Sequence, residues 1–140
     1  MLNKSFYSLG IIKPDATKRG IQDKIISDIT VAGFTILDSI SHNLTREEVE
    51  WLYSEHKDKD WFQDQISYML SGPVVLLKIF GDFDDTPGTF IMLMGPTDHR
   101  NAKPGTLRAK YAIGFRENSI HGSDGPESAI RELNKFFPYV

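Results

Sequence analysis

The chain contains no cysteine, which excludes a disulfide framework and any thiolate metal site. It has no excess of positive charge either: 16 Lys and Arg stand against 19 Asp and Glu, for a formal net charge of −3. An extended nucleic-acid surface is therefore not expected, and anion binding must come from a local cluster of cations. Lys13, Lys18, Arg19, Arg100, Lys103 and Arg108 are the candidates, scattered along the sequence. No apolar run is long enough to cross a bilayer, so no membrane association is expected. Nothing after Met1 reads as a secretory signal, and a cytoplasmic location is the expectation. No repeat, low-complexity segment or linker divides the 140 residues, so residues 1–140 read as a single domain. The Gly-x-x-x-x-Gly-Lys-Ser/Thr loop and the Gly-x-Ser-x-Gly elbow are both missing. His42, His56, His99 and His121 show no zinc-type spacing.

What is present is a patterned globular sequence, 40% hydrophobic and 25% charged, which suits a domain with a real core. Residues 6–12 are apolar and unbroken until Pro14, which predicts a buried strand. Ile21, Ile25 and Ile29, with Ile26 beside them, recur at helical spacing, and Gly33 supplies a stop. Residues 34–40 alternate and predict a second strand. Thr45-Arg46-Glu47-Glu48 has the capping-box pattern and opens a helix carrying Val49, Leu52 and Tyr53. A further helical piece covers residues 61–70 until Gly72-Pro73 ends it, and residues 74–80 form the clearest strand. Residues 81–89 read as loop, residues 90–94 as a short apolar strand, and residues 95–109 as a long loop of the kind that carries function. A turn over residues 118–124 carries His121; Ser123 and Asp124 serve as cap residues and Pro126 as the first residue of the last helix. Ala129, Ile130, Leu133, Phe136 and Phe137 line its apolar side. This order predicts an α+β fold, a ferredoxin-like sandwich with a four-stranded antiparallel sheet covered by helices.

Four segments carry groups suited to phosphate chemistry. His121 precedes a helix start, whose free N–H groups and positive dipole end favour an anion. Glu132, eleven residues further on, can turn back toward the imidazole and orient it. Lys13 ends a buried strand, either as a phosphate or ribose contact or as a lysine snorkelling to solvent. Tyr53 and His56 stand three apart on the helix after Thr45 and so share a face, as a site pair or as a core tyrosine beside a surface histidine. Finally, residues 94–97 and 103–108 offer two glycines, two threonines, a lysine and an arginine, a supply of hydroxyls and backbone N–H groups for phosphates.

Taken in order, these segments resemble the nucleoside diphosphate kinase family over nearly the whole chain. The strings are I-I-K-P-D-A at residues 11–16, S-G-P-V-V at 71–75, M-G-P-T at 94–97, K-P-G-T-L-R at 103–108 and N-S-I-H-G-S-D at 118–124. E-S-A-I-R-E at 127–132 and a terminal F-F-P complete them. The resemblance implies a ping-pong reaction in which the γ-phosphoryl group of a nucleoside triphosphate moves to His121 and then to a second nucleoside diphosphate. A neutral imidazole is a competent nucleophile for this, with catalysis resting on positioning and charge stabilisation. It implies that Lys13 and Asn118 hold the ribose 3′-hydroxyl, Lys13 also reaching the phosphates. Thr97 and Arg108 would bind phosphate, and His56 the α-phosphate. Tyr53 would lie close to the histidine, with Glu132 and Ser123 supporting it. Mg²⁺ is expected to bridge the nucleotide phosphates without dedicated protein ligands, and a homo-oligomer, hexamer or tetramer, is expected.

The sequence also departs from the family pattern. Trp61 stands where a phenylalanine usually stacks on the base, and Phe115 replaces a small apolar residue on the other side, giving a larger flat clamp. Gln65 replaces an apolar residue nearby and is expected to bias base preference through a hydrogen bond. Ile91 occupies the position of a phosphate-binding arginine, a loss worth roughly 1.5–3 kcal/mol of nucleotide interaction; Arg100, Lys78 or a neighbouring subunit are the candidate replacements. A non-catalytic nucleotide-binding scaffold is the alternative reading, against which the retained His121, Lys13, Tyr53, Asn118 and Glu132 weigh. A ferredoxin-like RNA-binding domain is disfavoured by the acidic balance and the missing aromatic-basic string.

Overall fold

The structure, a computed structural model, describes residues 4–138. Strands β1 (Tyr7–Ile12), β2 (Thr35–His42), β3 (Val74–Phe80) and β4 (Ile120–Gly122) form one sheet in the order β2-β3-β1-β4, with every neighbouring pair antiparallel. Helices α1 (Pro14–Lys18), α2 (Gln22–Val31), α3 (Arg46–Leu52), α4 (Phe62–Met69), α5 (Thr86–Met94), α6 (Leu107–Tyr111) and α7 (Pro126–Phe136) complete the fold.

Period-two alternation along the central strands decides the layers. Leu9 and Ile11 of β1 and Val74 and Leu76 of β3 share a core with Val49 of α3, Ile66 and Met69 of α4, and Leu133 and Phe136 of α7. Their neighbours point the other way. Ile12, Leu77 and Ile79 pack with Ile25 and Ile29 of α2, Phe90 and Met94 of α5, and Leu107 of α6. Helices thus cover both faces, which is why β1 and β3 read as almost continuous apolar runs rather than alternating ones. The α+β sandwich expected from the element order is the architecture found.

Several boundaries differ from the sequence reading, each for a local reason. Residues 90–94 are not a strand but the end of α5, and the expected 81–89 loop is shortened by its first turn. Asp85 caps that helix through the Gly88 N–H and Pro87 sits in the first turn, so the apparent breakers are start signals. The fourth strand is instead β4, in the segment expected to be a turn. Three residues are too few for alternation to register, and β4 is fixed by pairing: Ile11 faces His121 and Gly10 faces Gly122. A Cβ on Gly122 would lie 2.9 Å from carbons of Phe90 and Met94, so only glycine lets β4 close on α5. The 95–109 loop holds a 3₁₀ turn at His99–Asn101 and the start of α6, capped by Thr106.

The capping box at Thr45 forms in full, but α3 stops at Leu52. Tyr53 is its C-cap and His56 ends a separate 3₁₀ turn, Ser54–His56; the two do not share a helix face. Ser123 and Asp124 do not cap α7, whose N-cap is Gly125 without a side-chain bond.

Candidate active site

A cavity of about 710 Å³ opens where the ends of β1 and β4 meet α7, the 54–65 segment and the loop after α5. Its floor is built by the two strands. Lys13 directly follows β1, and its N–H donates to the Ser119 carbonyl at 2.9 Å; His121 sits on β4, opposite Ile11. Neighbouring strands therefore deliver a cation and an imidazole to one hollow.

The imidazole is backed by a relay of fixed groups. The Leu9 N–H of β1 donates to Ser123 Oγ at 3.2 Å, and Ser123 Oγ–H donates to Glu132 Oε1 at 2.7 Å. Glu132 Oε1 lies 3.9 Å from His121 Nε2, close enough to orient it electrostatically although beyond hydrogen-bond reach. That nitrogen is sealed from solvent without a hydrogen-bond partner. Burial raises the Glu132 carboxyl, but His121, Ser123 and Arg131 together outweigh it and hold Glu132 below the usual range. The Tyr53 ring meets the imidazole edge-on at 6.1 Å between centroids, and burial pushes its hydroxyl up to about 12.

The cations are restrained. Lys13 Nζ donates to Asn118 Oδ1 at 2.8 Å, and Asn118 Nδ2 donates to the Phe115 carbonyl at 3.0 Å. Burial first, then the nearby Arg108, brings the Lys13 ammonium down to about 7. Arg108 of α6 donates to the carbonyls of Gly95 (2.9 Å) and Ile120 (2.7 Å). Its Nε is buried without a partner, a donor left unspent in the native structure. Gly95 takes φ +86°, and a Cβ there would lie 2.9 Å from Thr106 Oγ1, so the loop carrying Thr97 folds tightly over α6.

The cavity is also lined by aromatic rings. Trp61 is 40% exposed and Phe115 66% exposed, and the His56 ring lies 5.1 Å from that of Trp61. Arg116 and Asp64 approach to 3.9 Å, linking the Phe115 loop to α4. A hollow lined by cations, an imidazole and exposed rings suits a ligand that carries both anionic groups and a flat ring.

Of the residues singled out from sequence, Lys13, Tyr53, His56, Trp61, Thr97, Arg108, Phe115, Asn118, His121 and Glu132 all line this cavity. Ser123 does not, and acts from behind through Glu132. Of the scattered cations only Lys13 and Arg108 converge there. Lys18 donates to Ser71, Arg19 to Asp15 and Arg100 to Asp98, and Lys103 lines a separate shallow hollow. Gln65 is buried in α4 and also lines the cavity. Ile91 borders it, 37% exposed. Neither Arg100 nor Lys78 is among the lining residues; Arg116 and Arg131 are, and sequence reasoning had not marked them. Arg131 directly precedes Glu132 in α7, the one sequence signal that could have found it. Among the described residues no cluster of three or more His, Cys, Asp or Glu gathers that could hold a metal ion.

Comparison with known proteins agrees with this geometry. A family model described as nucleoside diphosphate kinase matches residues 7–140. The nucleoside diphosphate kinase of Hydrogenovibrio crunogenus is 42% identical over 140 residues, covering 100% of this chain and 96% of that protein. That of Thiobacillus denitrificans is 41% identical over 131 residues, 94% of this chain and 91% of that protein. Among solved structures, the Aquifex aeolicus nucleoside diphosphate kinase superposes with a TM-score of 0.88 at 33% identity, covering 94% of each chain. The halophilic enzyme of Halobacterium salinarum, solved in complex with CDP, gives 0.88 at 32% identity over 94% of this chain and 86% of that one. The chain belongs to the nucleoside diphosphate kinase family.

Proposed function

We propose that the protein is an active nucleoside diphosphate kinase with His121 as its phosphate carrier. The observation that carries this reading is the relay from the Leu9 N–H through Ser123 and Glu132 to His121 Nε2. Glu132 orients the imidazole electrostatically from behind while Nε2 is sealed from solvent, and we assign Nδ1 as the attacking nitrogen. In the first half-reaction Nδ1 attacks the γ-phosphorus of a nucleoside triphosphate. The N–P bond forms as the bond to the β,γ-bridging oxygen breaks, and the diphosphate leaves with that electron pair. Glu132 stabilises the positive charge that develops on the ring. The second half-reaction is the reverse, with another diphosphate as acceptor.

Lys13, Arg108 and Thr97 would hold the phosphates, Asn118 and Lys13 the ribose, and Trp61 and Phe115 the two faces of the base. His56 stands beside Trp61 and would contact the α-phosphate, while Tyr53 bounds the imidazole. The donor set fits Mg²⁺ carried by the nucleotide, since only scattered carboxylates such as Asp124 line the cavity. When bound, the ion neutralises phosphate charge. The CDP found in the Halobacterium relative supports nucleotides as ligands here. Residues 1–140 form one such domain. A homo-oligomer, hexamer or tetramer, follows from the family resemblance, and β2 suits contact with a second copy: it is an edge strand with Leu37 and Ile40 exposed. Among the described residues no helix is long and apolar enough to cross a membrane; a cytoplasmic location belongs to the same reading.

Steady-state kinetics test it. Parallel double-reciprocal lines for triphosphate and diphosphate, with activity lost in His121→Ala, are expected. Intersecting lines, or an active His121→Ala, would refute it.

A further inference from the structure

Ser119 is the one non-glycine residue with positive φ among the described residues, at +75°, and it is completely buried. An L-residue held there is strained and stays only where its surroundings over-determine it. What surrounds it is Asp15, a buried side chain outside the cavity lining. Asp15 Oδ1 accepts the Ser119 N–H at 3.2 Å, and Oδ2 accepts the Ser119 hydroxyl at 2.7 Å. Arg19 Nη2 donates to the same Oδ2 at 3.0 Å and to Ser119 Oγ at 3.2 Å. The Tyr68 hydroxyl donates to Oδ1. The carboxylate is thus held from two sides while it holds Ser119.

The strained residue lies at a junction of the site. It is preceded by Asn118, which accepts from Lys13 Nζ, and followed by β4, which carries His121. Its own carbonyl accepts from the Lys13 N–H. A change in its backbone angle would move the lysine's partner and the histidine's strand together.

We infer that Asp15 is a positioning residue for phosphoryl transfer: by holding Ser119 in the left-handed conformation it sets Asn118, and through it Lys13, against His121. This rests on the kinase reading above, and its role is distinct from that of a carboxylate that only stabilises the fold. Asp15→Asn keeps the shape but replaces one acceptor with an amide donor facing Ser119 Oγ or Arg19. The expected result is a folded protein whose kcat falls on the order of 10–100-fold, as sub-ångström misplacement of reacting groups does, with a smaller change in KM. Glycine adopts φ +75° without a tether, so adding Ser119→Gly to Asp15→Asn should restore most of the lost kcat.

An unchanged kcat in Asp15→Asn, or a loss that Ser119→Gly does not relieve, would overturn the inference. Should Asp15→Asn not fold, Ser119→Gly is compared with Ser119→Ala. Both remove the hydroxyl but only alanine keeps the strain, so glycine must have the higher kcat, and equal or reversed values overturn the inference. NMR of the His121 ring in the same variants reports its placement without turnover. An inactive wild type whose ring signals still move in Asp15→Asn and return with Ser119→Gly would defeat the kinase reading and leave only the placement of His121 by Asp15 and Ser119 standing.

Discussion

Lys13 is the residue whose charge the site controls most closely. Burial lowers its pKa most and Arg108 lowers it further, while Asp15 and Glu117 raise it, for a net value of about 7 against the ordinary 10.5. Since kcat/KM reports the free enzyme, it should fall as pH rises through about 7, whereas kcat should hold to higher pH because bound phosphates restore the proton. A kcat/KM profile flat from pH 6 to about 9 would contradict this. The linkage to stability has a definite sign. Between about 7 and 10.5 the unfolded chain keeps the lysine proton and the folded one releases it, so stability rises with pH across that window. Lys13→Met should abolish that rise in denaturant titrations of the nucleotide-free protein.

Ile91 is a second residue whose identity matters. It borders the cavity, and neither Arg100 nor Lys78 supplies its missing charge. Ile91→Arg adds a guanidinium at that wall. One charged hydrogen bond to phosphate is worth roughly 1.5–3 kcal/mol, so KM for triphosphate should fall roughly 10–100-fold with less effect on kcat. An unchanged KM would mean that Arg116 or Arg131 already fills the role. Single functional residues were legible in the sequence because family strings mark them, and His121, Lys13 and Arg108 indeed meet in space. The Asp15–Ser119 contact was not, because it joins residues 104 apart through a backbone angle that no residue type announces.

Among the elements, β4 and α5 depend on each other. β4 closes on α5 only because position 122 has no side chain: a Cβ would meet Phe90 and Met94 at 2.9 Å. Gly122→Ala should therefore cost about 1–3 kcal/mol through overpacking and displace His121, lowering kcat as well as Tm. A variant with wild-type Tm would show that the contact has slack. These same elements were the ones misread. α5 begins with Thr86-Pro87-Gly88-Thr89, residues that mark a loop by composition but suit a helix start when Asp85 caps them. β4 is three residues long, and its strand identity comes from pairing with β1 rather than from its own pattern. The capping box at Thr45 and the apolar runs of β1 and β3 were readable because local signal and tertiary role coincide there.

For the molecule as a whole, the sheet order β2-β3-β1-β4 puts the strand bearing His121 at one edge beside the strand that Lys13 directly follows. Helices pack on both faces of that floor, and α7 brings Glu132 behind the imidazole. The ferredoxin-like frame followed from the order of elements, whereas the cavity follows from long-range pairing that periodicity does not contain. On this frame we propose His121 as a covalent phosphate carrier. Incubation of the protein with γ-labelled triphosphate, in the absence of diphosphate, tests it most directly. An acid-labile, alkali-stable phosphoprotein is expected to form with wild type and not with His121→Ala, and to discharge its label onto added nucleoside diphosphate. No label on wild type, or label that persists in His121→Ala, would contradict it.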